Sequence, residues 1–560
     1  MSTCRAALLC VTAVAGFGLI AGCAARHLPP PKGLTPRVNI SIPSRPHSRN
    51  PPLASEILDK TLSYQLEQLL DLPHLARRLT DNPYEAGNVD EFDEVPNSSW
   101  FTHRNGRTAM SLESVKRGPT TAGPDTSDIW TVLSVKSVGV TPGMIIADGS
   151  GRRYIIKFDP VAYPELGSAT EVVASRLLHA AGFNVPENFI VSFDPQRLRL
   201  DDGAELSVET NDKRRPLTRR GLAMAELHEM LGRANPNPDG SGVIRALASR
   251  FLPGIPVGPF SYTGRRGDDP NDIYAHEHRR ELRGLYVVAS WINHADMKEE
   301  NTLDMYDPES GQITHYLIDF GASMGSNSTS PSNPRRGQAN SFDLKDSLTR
   351  LATFGLYVHG YERAPQLVRY PSVGYLENDL FRPDKWKPMY PAPPFESMTD
   401  RDAFWGARIV TSFTDAQIAA AVEAGQLSDP DAAAALLEFL IERRDRIGLH
   451  WFARVNPLDR FGIDGQTLSF ADLAVERGYT GDPPATRYEL SIRTQDGALL
   501  AADELDTAQT ELQSSWQDFD HLVVSLRPRR EGHRSKPVLV YVRWNAVAGG
   551  WELMGLRRLD

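Results

Sequence analysis

At 560 residues the chain is long enough for more than one domain and for a substantial buried core. Hydrophobic residues make up 41% and charged residues 24%, the balance of a globular protein, which excludes a chain disordered throughout. A net charge of −10 argues against non-specific binding of nucleic acid, so no nucleic-acid partner is expected.

Residues 1–22 carry one early charge, Arg5, then an apolar run from Ala6 to Ile20, then Ala21-Gly22 ahead of Cys23. The run is short for a bilayer span and ends in small residues, which fits a targeting segment. Its ending, LIAGC, resembles the lipobox of bacterial lipoproteins. That resemblance implies cleavage before Cys23 and a lipid on its thiol, in the bacterial cell envelope. With Ala24 next rather than an aspartate, it implies the outer membrane, facing the periplasm. The partner there is the membrane itself, met through the lipid anchor rather than a span. The plainer alternative is an ordinary signal peptide with a coincidental cysteine. Cys4, Cys10 and Cys23 are the three cysteines of the chain, so the mature body would hold no disulfide and no cysteine-ligated metal.

Residues 23–55 are rich in proline and read as an extended tether. Residues 56–129 read as an extension of helix and loop, with a helical stretch SEILDKTLSYQLEQLLDLPHLARRL and a turn-rich segment around Trp100. From Trp130, WTVLSVKSVGVTPGMIIADGSGRRYIIKFDP predicts three strands joined by a Gly-Pro turn and an Asp-Gly-Ser-Gly turn. SATEVVASRLLHAAG has helical spacing, with Val173, Leu177 and Ala181 on one face and Gly182 as its stop. NFIVSF is a further strand, residues 195–242 read as an insertion with one short helix, and VIRALASR resumes as a strand. This unit spans 130–254. A helical unit spans 255–460, opening on a helix with Leu282, Leu285, Tyr286, Ala289 and Ile292 at three- and four-residue steps. The start of that helix, HEHRRE, lacks the H-E-x-x-H spacing of zinc hydrolases and reads as a polar helix start. Residues 485–560 return to strands and suggest a small C-terminal β module.

The segment NHADMKEENTLDMYDPESGQITHYLIDFGASMG carries the chemistry. Phosphoryl transfer requires positioned phosphates, charge neutralisation by a lysine and magnesium, and a carboxylate to orient the acceptor hydroxyl. Lys157 ends the third strand, and Glu171 in the next helix either holds that lysine or completes a Ser168–Glu171 capping box. Asp296 suits an acceptor hydroxyl, Lys298 the transferred phosphate, and Asn301 and Asp319 the oxygen ligands of a metal. A hairpin turning at DPESGQ would bring Asn301 and Asp319 together. Gly139 and Gly143 would cradle phosphates through their backbone.

HADMKEEN followed by LIDFG resembles the catalytic loop and metal-binding motif of the protein-kinase-like fold. The 23-residue step from Asp296 to Asp319 is closer to atypical branches, HipA-like or spore-coat-kinase-like, than to ordinary Ser/Thr kinases. The resemblance implies an α+β, two-lobed kinase-like fold, here on a bacterial lipoprotein, that uses Mg2+ or Mn2+ with ATP on a protein or small-molecule acceptor. Three departures stand out. Ala295 replaces the usual arginine, no G-x-G-x-x-G loop is present, and no Ala-Pro-Glu follows Gly321. The envelope normally holds no ATP pool. Three readings therefore stay open: a phosphotransferase, a kinase-fold AMP transferase, and a non-catalytic (pseudokinase-like) envelope binding or assembly module.

Overall fold

The computed structural model describes residues 30–31, 33–34, 39–49, 83–136, 143–208, 217–220, 224–232, 242–354, 356–480, 486–530 and 535–559. The targeting segment with Cys23, most of the tether, the helical stretch over 56–80 and the turn holding Gly139 lie outside them.

The architecture is mixed α/β and includes a seven-stranded sheet formed within residues 130–250. Strands β1 (Trp130–Lys136), β2 (Gly143–Ala147) and β3 (Arg153–Lys157) form an antiparallel meander, as their alternation predicts. Helix α1 (Leu112–Arg117) precedes them. Helix α2 (Leu166–Ala181) follows β3 and stops at Gly182, whose φ of +119° places it where a side chain is strained. Strands β4 (Asn188–Phe193) and β7 (Ile244–Arg250) complete the edge next to β3.

The insertion does more than loop out. It supplies β5 (Leu198–Val208), which pairs in parallel with β1, then β6 (Leu217–Arg220) and the predicted helix, α3 (Met224–Leu231). Without that pairing β1 would be a bare edge strand, so the insertion covers the unpaired backbone groups.

Helix α4 (Arg280–Trp291) is buried along its whole length. The HEHRRE start is a single 3₁₀ turn over His276–His278, and His276 is buried, its Nε2 2.7 Å from Asp272 Oδ2. The expected polar helix start is thus partly an interior hydrogen-bonded turn. Strand β8 (Ile255–Pro256) precedes α4, and β9 (Thr302–Asp307) and β10 (Gln312–Leu317) follow it in a small sheet of order β10-β9-β8, ahead of α5 (Leu344–Ala352). Then follow α6 (Asp400–Ser412), α7 (Asp415–Glu423) and α8 (Pro430–Arg454). Helices α4 and α6 approach closely through two glycines. A Cβ at Gly284 would lie 2.5 Å from Trp405, and one at Gly406 would lie 2.7 Å from the Gly284 carbonyl oxygen.

The terminal strands begin earlier than the sequence pattern suggests. Strands β11 (Leu458–Asp464) and β12 (Thr467–Asp472) pair with β15 (Gln509–Glu511) in one sheet. Strands β13 (Arg487–Thr494), β14 (Leu499–Leu505), β16 (Leu522–Arg529), β17 (Val538–Asn545) and β18 (Gly550–Arg558) form another, in the order β14-β13-β16-β17-β18. Their inner faces share one apolar core. Polar contacts lock this unit to the rest. Asp93 of the N-terminal extension lies 2.7 Å from Arg280 of α4, 3.1 Å from Arg401 of α6 and 3.5 Å from Arg558 of β18.

Candidate functional site

Lys157 is the last residue of β3, and the sheet carries its side chain toward α2. Its Nζ lies 3.1 Å from Asp319 Oδ1 and 3.9 Å from Glu171 Oε1. Glu171 is one turn into α2 rather than at its start, because the helix begins at Leu166 with Glu165 as its N-cap. The capping-box alternative therefore falls away. Ser168 is instead held by Asp159, whose Oδ1 accepts from the Ser168 N–H at 2.8 Å and whose other oxygen accepts from the hydroxyl.

Burial opposes the charged form of Lys157, but Glu171 and Asp319 outweigh it and hold its pKa well above the usual range. Burial pushes the Glu171 carboxyl up, against the pull of Lys157, with Asp319 adding to the rise and the Phe320 and Gly321 amides bonding the carboxylate. Lys157 holds the Asp319 carboxyl below its ordinary value against the effect of burial. One buried acid, one half-exposed acid and one shared cation make up this half of the site.

The other half is the loop after α4. Asp296 Oδ2 accepts from Lys298 Nζ at 3.0 Å and from Asn301 Nδ2 at 3.2 Å, and Asn301 Nδ2 also donates to the Asp296 carbonyl at 2.8 Å. Burial disfavours the Lys298 ammonium, but Asp296 overcomes it and raises its pKa. The expected hairpin joins the halves. Thr302 pairs with Leu317 in the β9–β10 ladder, and the Ile318 N–H donates to the Asn301 carbonyl at 3.0 Å, leaving Asp319 one residue further on. Asp319 has φ of +63°, and Asn293, Met324 and Ser328 share that left-handed region. Such conformations cost roughly 1–2 kcal/mol each for non-glycine residues and gather where geometry is held for a purpose.

Gly143 opens β2 directly opposite Lys157, and a Cβ there would lie 2.4 Å from the Ile156 carbonyl oxygen. The backbone can approach the site closely at that point. The partner expected for it, Gly139, lies outside the described residues.

Three groups were not singled out from the sequence. His294, two residues before Asp296, is buried, with Nδ1 2.9 Å from Ser323 Oγ and its ring edge-on to Phe320 at 5.7 Å. Burial pushes its imidazole down, toward the neutral form, with Asp296 and Asp319 pulling the other way. Its position beside Asp296 was the available signal. Asp159 and Ser328 had none. Together with Lys157, Ser168, Glu171 and Asp319 they line a cavity of about 20 Å3, room for about one water.

Asp319 and Asn301 offer a carboxylate and an amide oxygen, a donor set that suits magnesium, which takes one or two protein side chains with phosphate and water for the rest. Among the described residues no three acidic, histidine or cysteine side chains cluster as a cation cage of their own.

No family model matches the chain, and no curated protein matches it. Among solved structures the chain is similar to the Helicobacter pylori proinflammatory kinase CtkA, at 11% identity and a TM-score of 0.30, over 56% of this chain and 93% of that one. It is also similar to a Golgi casein kinase, at 10% identity and a TM-score of 0.26, over 76% of this chain and 95% of that one.

Proposed function

We propose that the chain is a two-lobed, kinase-like phosphotransferase of the bacterial cell envelope with a C-terminal β module, held at the outer membrane by lipid on Cys23, acting on a protein or small-molecule acceptor. The observation that carries the reading is one constellation. Lys157 bridges Glu171 and Asp319, while the backbone bond from Ile318 to Asn301 ties Asp319 to the loop that bears Asp296. An ordinary surface lysine has no reason to meet two carboxylates from distant elements, one of them buried.

In this reading Lys157 binds phosphate oxygens, Glu171 fixes its direction, and Asn301 and Asp319 hold the Mg2+ or Mn2+ that accompanies ATP. The bound metal would supply charge neutralisation on the phosphates. Asp296 has Oδ2 occupied by Lys298 and Asn301, which leaves Oδ1 to accept from the acceptor hydroxyl. As the acceptor oxygen bonds the γ-phosphorus, the bond to the bridging oxygen breaks, ADP leaves and the hydroxyl proton passes to Asp296. Lys298 stands beside the transferred group.

The test is transfer of label from γ- and α-labelled ATP to components of an envelope extract, with the wild-type chain and Asp296→Asn. Label from the γ position, lost in the variant, is the expected result. Label from the α position alone would mean AMP transfer, and no transfer from either would favour a binding module.

A further inference from the structure

Among the described residues, several interior arginines meet a carboxylate. Arg280 and Arg283 pair with Asp402 at 3.0 Å each, and Arg558 with Asp459 at 3.0 Å. Arg176 and Arg443 lack such a carboxylate but donate to backbone carbonyls, those of Lys116 and Asn188 for the first and that of Ser290 for the second. Arg336 differs. It is half-buried, and its guanidinium donates to the Met389 thioether and the Asn327 amide oxygen, two neutral acceptors of which the first is weak. Among the described residues no carboxylate forms an ion pair with it. A guanidinium has five N–H donors, and two neutral acceptors, one of them weak, leave Arg336 with donors for an anion.

Its place in the fold says where that anion would lie. The segment 333–341 turns through an Arg336 N–H to Asn333 carbonyl bond of 3.0 Å and lies against residues 386–389. There Lys387 N–H donates to Gly337 at 3.0 Å, Ser341 N–H to Met389 at 2.7 Å, and Met389 N–H to the Ala295 carbonyl at 2.7 Å. Gly337 has φ of +79°, and a Cβ on it would lie 2.4 Å from Asn293 Oδ1, so the turn is seated against the loop that bears Asp296. The residue that grips Arg336 thus bonds the residue before Asp296. Burial pulls the Arg336 pKa down, and the Asp296 carboxylate pulls the other way.

We propose that Arg336 and Lys298 flank Asp296 as an anion-recognition wall, so that the acceptor carries a phosphate or carboxylate group near its reacting hydroxyl. The fork of Arg336 would take two oxygens of that group and leave the hydroxyl over Asp296. The assignment of the hydroxyl to Asp296 rests on the phosphotransferase reading; the anion site does not.

The experiment is calorimetry on the full chain in detergent, with glycerol 3-phosphate, glycerate and glycerol as probes, nucleotide-free and with a non-hydrolysable Mg–ATP analogue. Both anions should bind and glycerol should not. Arg336→Gln should weaken the anions about tenfold or more, and Arg336→Lys, which keeps the charge and loses the fork, by less. Melting curves of both variants report folding, and Lys157→Met identifies any anion held at the phosphate end instead. Glycerol binding as well as the anions, no anion binding at millimolar concentration, or anion affinity untouched in both Arg336 variants would each overturn the proposal. Anion binding without nucleotide binding would instead sink the phosphotransferase reading and leave this site standing.

Discussion

Replacing Lys157 by methionine takes one cation from between two carboxylates, and the two losses are unequal. Asp319 is 50% exposed, so water takes over its solvation and the lost pair is worth about 0.5 kcal/mol, as for a surface pair. Glu171 is 5% exposed. A buried carboxylate stripped of its cation costs about 3–5 kcal/mol. Here the Phe320 and Gly321 amides still bond it, and burial already moves its pKa toward the neutral form, so protonation offers an escape. Both effects lower the expected cost to about 2 kcal/mol, or about 4–8 °C in Tm for a cooperatively melting unit of roughly 150–250 residues. Adding Glu171→Gln removes the orphaned charge and should restore at least half of the loss, which a double-mutant cycle of thermal melts at pH 7 measures. The sign of the pH effect follows. A carboxyl whose pKa is raised in the folded state favours folding most at low pH, so the Lys157→Met deficit should shrink at pH 5. A Tm change below about 1 °C, or a double variant no better than Lys157→Met, would refute the shared-cation argument.

Two further outcomes test how the site is supported. Asp93→Asn leaves Arg280, Arg401 and Arg558 facing one another without their common carboxylate, at a cost of about 3–5 kcal/mol, and limited proteolysis should then release the C-terminal sheets from the helices. His179 near the end of α2 is pushed down to about 3, by burial first and then by Arg104, Arg176 and Arg117. A base with a depressed pKa contributes stability above its ordinary value of about 6.5 and loses it as pH falls toward the folded one, at about 1.4 kcal/mol per pH unit. His179→Gln should flatten urea-denaturation stability between about pH 6 and pH 4 relative to wild type, and parallel curves would contradict the assignment.

Six residues of the candidate site could be singled out in the sequence, from a strand end, the next helix and a predicted hairpin. Lys157, Glu171, Asp296, Lys298, Asn301 and Asp319 do come together. What joins them was less visible. Trp100 showed only a turn-rich context in the sequence, yet it is buried, stacked on His315 at 3.5 Å and edge-on to Phe260 and His276, with Arg279 over its ring. All four partners lie far along the chain, so no local pattern announces the cluster. Strand β5 was hidden for a related reason. Its parallel pairing with β1 depends on a distant partner and not on alternation within the insertion. The start of the terminal strands at Leu458 was missed because FGIDGQTLSF is short and half-exposed, with little alternation to read. Arg336 sat in a stretch whose composition reads only as a polar loop, since its value comes from where Met389 and Gly337 seat it.

The most direct measurement is calorimetric titration of Mg-ATP and Mn-ATP into the chain from residue 24 onward, beside Asp319→Ala. Metal-dependent binding in the wild type, and its loss in a variant that still melts cooperatively, is the expected result. Absence of binding with either metal in folded wild-type protein, or binding unchanged in Asp319→Ala, would contradict it.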